Sequence, residues 1–368
     1  MYGLHILSKT NVRRDGMNQQ VGSGSLCFAE APFIIGTASV VGTKEGEGPH
    51  AQEFDCIGAD DKFGQETWEA AESSLQKEAL TLALGKAKKK PEEMRYLFAG
   101  DLLGQLIASS FGLKTFEIPL FGLYGACSTC GEALSLSAMT VAAGYGDHVA
   151  VVTSSHFASA EKQFRFPLEY ANQRPVCATW TVTGGGAFIL AKNANQPLAK
   201  ITGITTGKIV DYGIKDSMNM GAVMAPAAAE LIAQNFSDFK RKPEDYDRII
   251  TGDLGEVGQQ ILFDLLEKKG FDIHEQHEDC GMLIYDAKKQ GTGSGGSGCG
   301  CAASMLSAHF LPKLATGELH RILFVPTGAL LSTVSFNEGQ TIPGIAHGVV
   351  LESCDLSGKK EGKRVCSM

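Results

Sequence analysis

The segment KPEEMRYLFAGDLLGQ, beginning at Lys90, returns in altered form as KPEDYDRIITGDLGEVGQ from Lys242. Pro91 and Pro243 lie 152 positions apart, as do Gly100 and Gly252, so the register holds without a gap through the apolar segment. Each copy reads as a helix end, a strand and a Gly-Asp-Leu turn into the next helix. A second echo follows. GACSTCGEALSLSAM and the AAGYGDHVAVVTSSH stretch share their order of Gly/Cys turn, small-residue helix, Gly turn and apolar strand with GCGCAASMLSAHFLPKLATGELHRILFVPTGA. The second offset is larger by about 21 residues, which places an insertion in the second half between the echoes. Such a chain folds as two copies of one unit rather than as two unrelated domains.

Within each copy, strands and helices alternate. Strands are expected at 32–41, 95–99, 149–154 and 180–190, and again at 201–210, 248–251, 322–326 and 345–351. Helices are expected at 66–90, 222–235, 256–268 and 302–314, the first carrying Trp68, Leu75, Ala79, Leu82 and Ala83 near helical spacing. Runs such as HVAVVT and RILFV are apolar throughout, which suits strands covered by helices on both faces. The fold class is α/β, in stacked layers of helix and sheet.

At 368 residues the chain has room for two cores. Its formal charge of −8 argues against a nucleic-acid partner, and its one basic run, 359–364, lies in a tail. No stretch approaches the roughly 18 consecutive apolar residues that cross a bilayer, and no export signal is visible. Ten cysteines in that setting suggest a reducing compartment, where they act as small hydrophobes. Cys127/Cys130 and Cys299/Cys301 are poor zinc chelates in Gly/Ser/Ala turns, so no metal site is expected.

Cys127 opens a helix, where unpaired N–H groups and the helix dipole lower a thiol's pKa and attract anions. It reads as a nucleophile, as a redox partner of Cys130, or as a small packing residue. A nucleophile needs a base, and His156, His277 and His347 are the candidates, each also readable as structural. The segment from Ser154 to Ala178 sets Lys162, Arg165 and Arg174 among Phe157, Phe164, Phe166 and Tyr170. It reads as a long excursion suited either to holding a planar carboxylate ligand or to a dimer contact or packing loop. GTGSGGSGCGC from Gly291 lacks the lysine of a phosphate-binding loop and reads as a tight turn into a helix.

Together, the duplicated halves, the helix-opening cysteine and the second Gly-rich helix entry resemble the thiolase and ketoacyl-synthase superfamily. Its members have two similar five-stranded halves in an α-β-α-β-α body, usually dimeric. More narrowly, AGDLLGQ, GACST, TSSHFASAEKQFRFPLEY, TVTGGGA, GAVMAPAAAELI, DCGMLIY, GGSGCGC and TIPGIAHGVV resemble the stage V sporulation AD family of spore-forming bacteria. The likeness spans about residues 28–354, dividing into halves at 28–197 and 198–354. An extension, 1–27, and a tail, 355–368, fall outside the folded body.

The resemblance implies a homodimeric, non-catalytic thiolase-fold protein that binds dipicolinic acid, pyridine-2,6-dicarboxylate. It would work with integral membrane and soluble proteins of the same sporulation system at the spore's inner membrane, needing no cofactor, with calcium as a possible companion of the ligand. Condensing enzymes of the superfamily pair their cysteine with histidines, or a histidine and an asparagine, of the second half. Here the corresponding turns read Thr251-Gly252-Asp253-Leu254-Gly255 and Gly298-Cys299-Gly300, without a histidine. The ligand-binding set expected on this basis is Cys127, His156, Lys162, Arg165, Arg174, Thr183, Asp253 and His277. The alternatives are a Cys127-dependent acyltransferase and a ligand-free scaffold for membrane partners.

Overall fold

The computed structural model describes residues 19–165 and 167–354. The first half comprises β1 (Gln20–Val21), β2 (Ser25–Cys27), β3 (Phe33–Val41), β4 (Cys56–Ile57), α1 (Trp68–Ala87), β5 (Tyr96–Gly100), α2 (Ile107–Leu113), β6 (Leu120–Leu123), α3 (Thr129–Ala142), β7 (His148–Ser155), α4 (Phe157–Phe164), β8 (Trp180–Thr181) and β9 (Gly184–Ala191). The second comprises β10 (Ala199–Thr206), α5 (Met220–Phe239), β11 (Arg248–Thr251), α6 (Gly255–Glu267), β12 (His277–Asp279), α7 (Cys280–Ile284), α8 (Ala287–Gln290), β13 (Gly296–Ser297), α9 (Cys299–Met305), a π-turn (Leu306–Phe310), α10 (Leu311–Thr316), β14 (Arg321–Val325), β15 (Thr327–Ala329), α11 (Thr333–Asn337) and β16 (Gly344–Glu352).

The repeat seen in the sequence is a repeat of topology. Across the sheet the strands run β12-β11-β14-β16-β10-β3-β9-β7-β5-β6. Reading outward from the centre, each half has the order first, fifth, fourth, second, third. In both, the fifth strand is antiparallel to the first and fourth, while the fourth, second and third are parallel. The halves join where the ends of β3 and β10 pair, through Ala199 with Ile34 and Lys200 with Phe33. Even the lead-in turns correspond: Glu93 accepts a hydrogen bond from Lys90 N at 2.8 Å, and Asp245 accepts one from Lys242 N at 2.7 Å. The second-half insertion is taken up by a longer α6 and by α7 and α8.

Side-chain alternation along the strands builds five layers. Val149 and Val151 of β7 and Phe188 and Leu190 of β9 face a central core shared with α3 and α9. Ala150, Val152, Ala187 and Ile189 face the outer helices α1 and α2. In the second half, Ile322, Phe324, Val349 and Leu351 face the same central core, while Leu323, Val325 and Val350 pack under α5 and α6. Two helices pressed between the two halves of the sheet must be made of small residues. A Cβ on Gly300 of α9 would stand 2.0 Å from the Gly184 carbonyl oxygen, and one on Gly131 of α3 would stand 2.8 Å from that of His347.

Four expectations are corrected. The segment 180–190 is not one strand: β8 pairs with β13 in a separate two-stranded sheet, and Val182 and Thr183 turn the chain into β9. The helix expected at 302–314 begins at Cys299 and passes through the π-turn. The excursion from 154 is in part the helix α4. Residues 20–27 belong to the sheet, because Ser23 N, Gly24 N and Ser25 Oγ bind Asp238 of α5 at 3.1, 3.0 and 2.8 Å, and β2 pairs with β10. Phe166, residues 1–18 and the tail 355–368 lie outside the described residues.

Candidate functional site

The site forms where the central helices begin. Cys127 sits in the tight turn Ala126–Ser128 that enters α3, with Ala126 in the left-handed region at φ 53°. Its Sγ lies 3.6 Å from Ser297 Oγ, on β13 just before α9. Ser297 Oγ donates to Asp253 Oδ2 at 3.4 Å, while Asp253 Oδ1 accepts from Thr327 Oγ1 at 2.5 Å and Thr327 N at 3.3 Å. Asp253 stands in the turn after β11 because Asp279 accepts from Leu254 N, Gly255 N and Thr251 Oγ1 and so holds that turn in place. Leu102, Ala160 and Cys299 form an apolar wall, with Cys127 and Phe164 against it.

Electrostatics there differ from what a helix N-terminus alone implies. Burial pushes the Cys127 thiol well above its usual range, and the Asp253 carboxylate pushes it further. The Ser297 hydroxyl and Gly298 N–H act in the opposite sense without reversing the shift. The thiol is therefore protonated at neutral pH, and no histidine among the described residues is hydrogen-bonded to it. Burial likewise raises Asp253 to about 7, against the hydrogen bond from Thr327. Cys299 donates to Ala126 O at 3.0 Å and is itself held protonated by burial.

One strand pairing away lies a second polar cluster. Ser297 pairs with Thr181 in the two-stranded sheet, and Thr181 Oγ1 donates to Glu161 Oε1 at 3.0 Å. Onto that buried carboxylate converge Arg165, whose Nη1 is 2.6 Å from each oxygen, and Arg174, whose Nη1 is 2.9 Å from Oε1. Arg174 also donates to Thr179 O and lies over Phe157 and Trp180, which stack at 4.0 Å. Arg165 Nε is buried without a partner. Two guanidinium groups thus share one carboxylate, leaving one positive charge uncompensated within the cluster.

Of the expected set, Cys127 and Asp253 meet at the site, and Arg165 and Arg174 meet beside it. The others have partners elsewhere in the fold. His156 caps α4: Nδ1 accepts from Ala158 N at 3.1 Å, so Nε2 donates to Asp61 O at 2.6 Å, and burial keeps the ring neutral. Lys162 reaches α1 instead, 2.6 Å from Glu69 Oε1. Thr183 accepts from Phe157 N and donates its own N–H to Glu45, as part of the turn between β8 and β9. His277 has both nitrogens bound. Thr251 gives its proton to Asp279, so it accepts from Nε2 at 2.9 Å, and Nδ1 accepts from Gln259 at 2.9 Å; burial lowers its pKa to about 3. His347, on β16, is lowered by burial to about 4.

Ser297, Thr327 and Glu161 escaped the sequence reading. Ser297 was hidden in a Gly/Ser run, although a polar residue just before a helix entry whose Gly298 has φ 118° was the available signal. Glu161, four residues before Arg165, carried the spacing of a helical ion pair.

A duplicated α-β-α-β-α body whose two central helices open onto a cysteine defines the thiolase fold. Solved structures agree. The chain superposes on acetyl-CoA acetyltransferase from Syntrophomonas wolfei with TM-score 0.56 at 11% identity, covering 91% of this chain and 100% of that one. For human mitochondrial 3-ketoacyl-CoA thiolase the values are 0.54, 13%, 89% and 99%, and for 3-oxoacyl-[acyl-carrier-protein] synthase III from Aquifex aeolicus VF5 they are 0.52, 15%, 87% and 99%. At these identities the likeness establishes the fold. Residues 22–352 match the family described as stage V sporulation protein AD, and the chain belongs to that family. It is 40% identical over 335 residues to stage V sporulation protein AD of Bacillus subtilis (strain 168), covering 90% of this chain and 97% of that protein. Membership gives it a role in stage V of sporulation.

Proposed function

We propose that the protein binds dipicolinic acid and serves, without catalysis, as the ligand-binding component of the stage V A system that moves dipicolinate into the developing spore. The observation that carries this reading is the pair Arg165 and Arg174 sharing Glu161, next to the apolar cluster of Leu102, Ala160, Phe164 and Cys299. Dipicolinate is a planar dianion at neutral pH, so its site needs guanidinium or N–H donors and an aromatic or apolar wall. The uncompensated charge, the open Arg165 Nε and the turn at Cys127 supply the donors. A single carboxylate already bound to Thr327 is no calcium cage, since calcium takes about six to eight oxygens. Calcium would therefore enter bound to dipicolinate.

No helix of the described residues is long and apolar enough to cross a membrane, so membrane work would fall to integral membrane partners at the inner membrane. A homodimer would use the free edge of the first half. There β6 ends the sheet with Leu120 and Phe121 exposed, beside exposed Tyr124 and Phe111.

The acyltransferase reading rests on one observation, the Cys127 thiol beside a carboxyl with a pKa about 7, which could serve as a base. Calorimetric titration with dipicolinate, with and without calcium, and incubation with acyl-CoA separate the readings. Dipicolinate binding that persists in Cys127→Ala, with no acyl label on Cys127, supports the binding role. A covalent label lost in Cys127→Ala would replace it with catalysis, and no heat with any form would leave the scaffold.

A further inference from the structure

Away from Cys127, two imidazoles and a carboxylate converge across the two halves. His50 and Glu53 bracket the tight turn Ala51–Glu53 between β3 and β4, and His309 reaches them from the π-turn Leu306–Phe310. His50 Nδ1 lies 3.0 Å from Glu53 Oε1 and His309 Nδ1 lies 2.7 Å from Oε2. One ligand atom from each of the three lies within 4.8 Å of the others. The imidazole rings meet edge to face at 4.4 Å, and their side chains are only 17% and 11% exposed, against 38% for Glu53. The cluster is thus sheltered on the imidazole side and open on the carboxylate side.

Two His and one carboxylate with an open fourth position is a zinc donor set. Bonds of about 2.1 Å in tetrahedral geometry place donors roughly 3.4 Å apart, so the two close pairs need to open slightly and the widest to close by up to about 1.4 Å. The charge states suit it. Burial alone would raise Glu53, but hydrogen bonds from His50 and His309 outweigh it and hold the carboxyl below its usual range. Nδ1 of His309 donates to Glu53, and burial holds the ring below its usual range, so the neutral ring takes a cation at Nδ1 once that proton moves to Nε2. The π-turn is a second, independent sign. Its extra residue turns the following helix face by about 100°, and such turns are rare and found frequently at functional sites.

We propose that His50, Glu53 and His309 bind one zinc ion, with solvent in the fourth position, clamping the β3–β4 connection of the first half to the α9–α10 helix of the second. That helix begins at Cys299, so the ion would fix the same rod whose first turn packs against Cys127, about 15 Å away along its axis. The site is independent of what the Cys127 site binds.

The test uses the full-length chain, stripped with a chelator and free of dipicolinate, titrated calorimetrically with zinc chloride and, in parallel, with cobalt chloride followed by absorbance. The expected result is one equivalent of zinc, a higher unfolding temperature in its presence, and a tetrahedral cobalt spectrum without thiolate charge transfer. His309→Ala and the near-isosteric Glu53→Gln each weaken binding at least tenfold, and wild-type affinity falls as pH drops through the imidazole range, where protons compete. Binding equal in wild type and both variants, a thiolate charge-transfer band, or no binding by wild type would overturn the proposal. The cobalt spectrum is read on wild type, so a variant that fails to fold does not spare it.

Discussion

At the scale of single residues, the site is governed by burial more than by helix dipoles. Asp253 shows this, because its carboxyl is fully buried and raised to about 7, although Thr327 and Ser297 hydrogen-bond to it. Below about pH 4 it is protonated in both the folded and unfolded chain. Between about 4 and 7 the folded chain keeps a proton that the unfolded chain has lost, so this group's contribution to stability falls as pH rises through that window and is level above it. His277 and His347 act oppositely, being lowered to about 3 and about 4 and kept neutral in the folded state. Their contribution grows as pH rises toward the free imidazole range. Asp253→Asn isolates the first effect. In denaturant unfolding the variant gains stability relative to wild type as pH goes from 4 to 7, by at least about 1 kcal/mol. A difference independent of pH would show that Asp253 titrates normally.

Among the elements, the central helices carry the tightest constraints. Gly300 of α9 has no room for a methyl group, since its Cβ would stand 2.0 Å from a backbone oxygen of β9. Gly300→Ala is expected to cost at least about 2 kcal/mol, as overpacked cores do, whereas Gly85→Ala on α1, with open space around it, should be neutral or stabilising. Equal unfolding midpoints for the two variants would contradict the packing described here. The sequence made these elements legible where their signals are local. The Lys-Pro-Glu and Lys-Pro-Glu-Asp turns, the apolar strands β7 and β14, and the helix entry at Cys127 all appear where the residues indicate. It was less informative where a tertiary partner decides. Trp180 and Thr181 have strand character, but whether they continue into β9 depends on β13, more than a hundred residues away. The same limit hid the site's chemistry. Arg165 and Arg174 read as free cations until Glu161 is seen between them, and His156 and His277 as bases until both ring nitrogens are seen occupied; His50 and His309 carry no local signal and meet only through the packing of the halves.

For the molecule as a whole, the duplication dictates both the site and the exposed edge. Because each half places its second strand beside its fourth and its third, the loop after β11 delivers Asp253 to the cysteine at the start of α3. The matching loop after β5 delivers Asp101 near Cys299, whose thiol it helps hold protonated. The third strand of the first half is left as a sheet edge bearing Phe121, 51% exposed. The proposed homodimer through this edge predicts that Phe121→Glu lowers the mass read by light scattering at micromolar concentration from dimer to monomer with its unfolding midpoint little changed, and an equal mass for wild type and variant would contradict that contact.

The central claim, that the guanidinium pair receives a dianion, is tested most directly by comparing dipicolinate affinity in wild type, Arg165→Ala and Lys162→Ala. In Arg165→Ala the buried Glu161 keeps Arg174, so the fold has a paired carboxylate. Lys162 differs by three positions but binds Glu69 on another helix. Loss of a charge-assisted hydrogen bond worth about 1.5–3 kcal/mol predicts affinity about 10- to 150-fold weaker in Arg165→Ala and unchanged within about twofold in Lys162→Ala. Equal affinities in all three proteins would contradict the account.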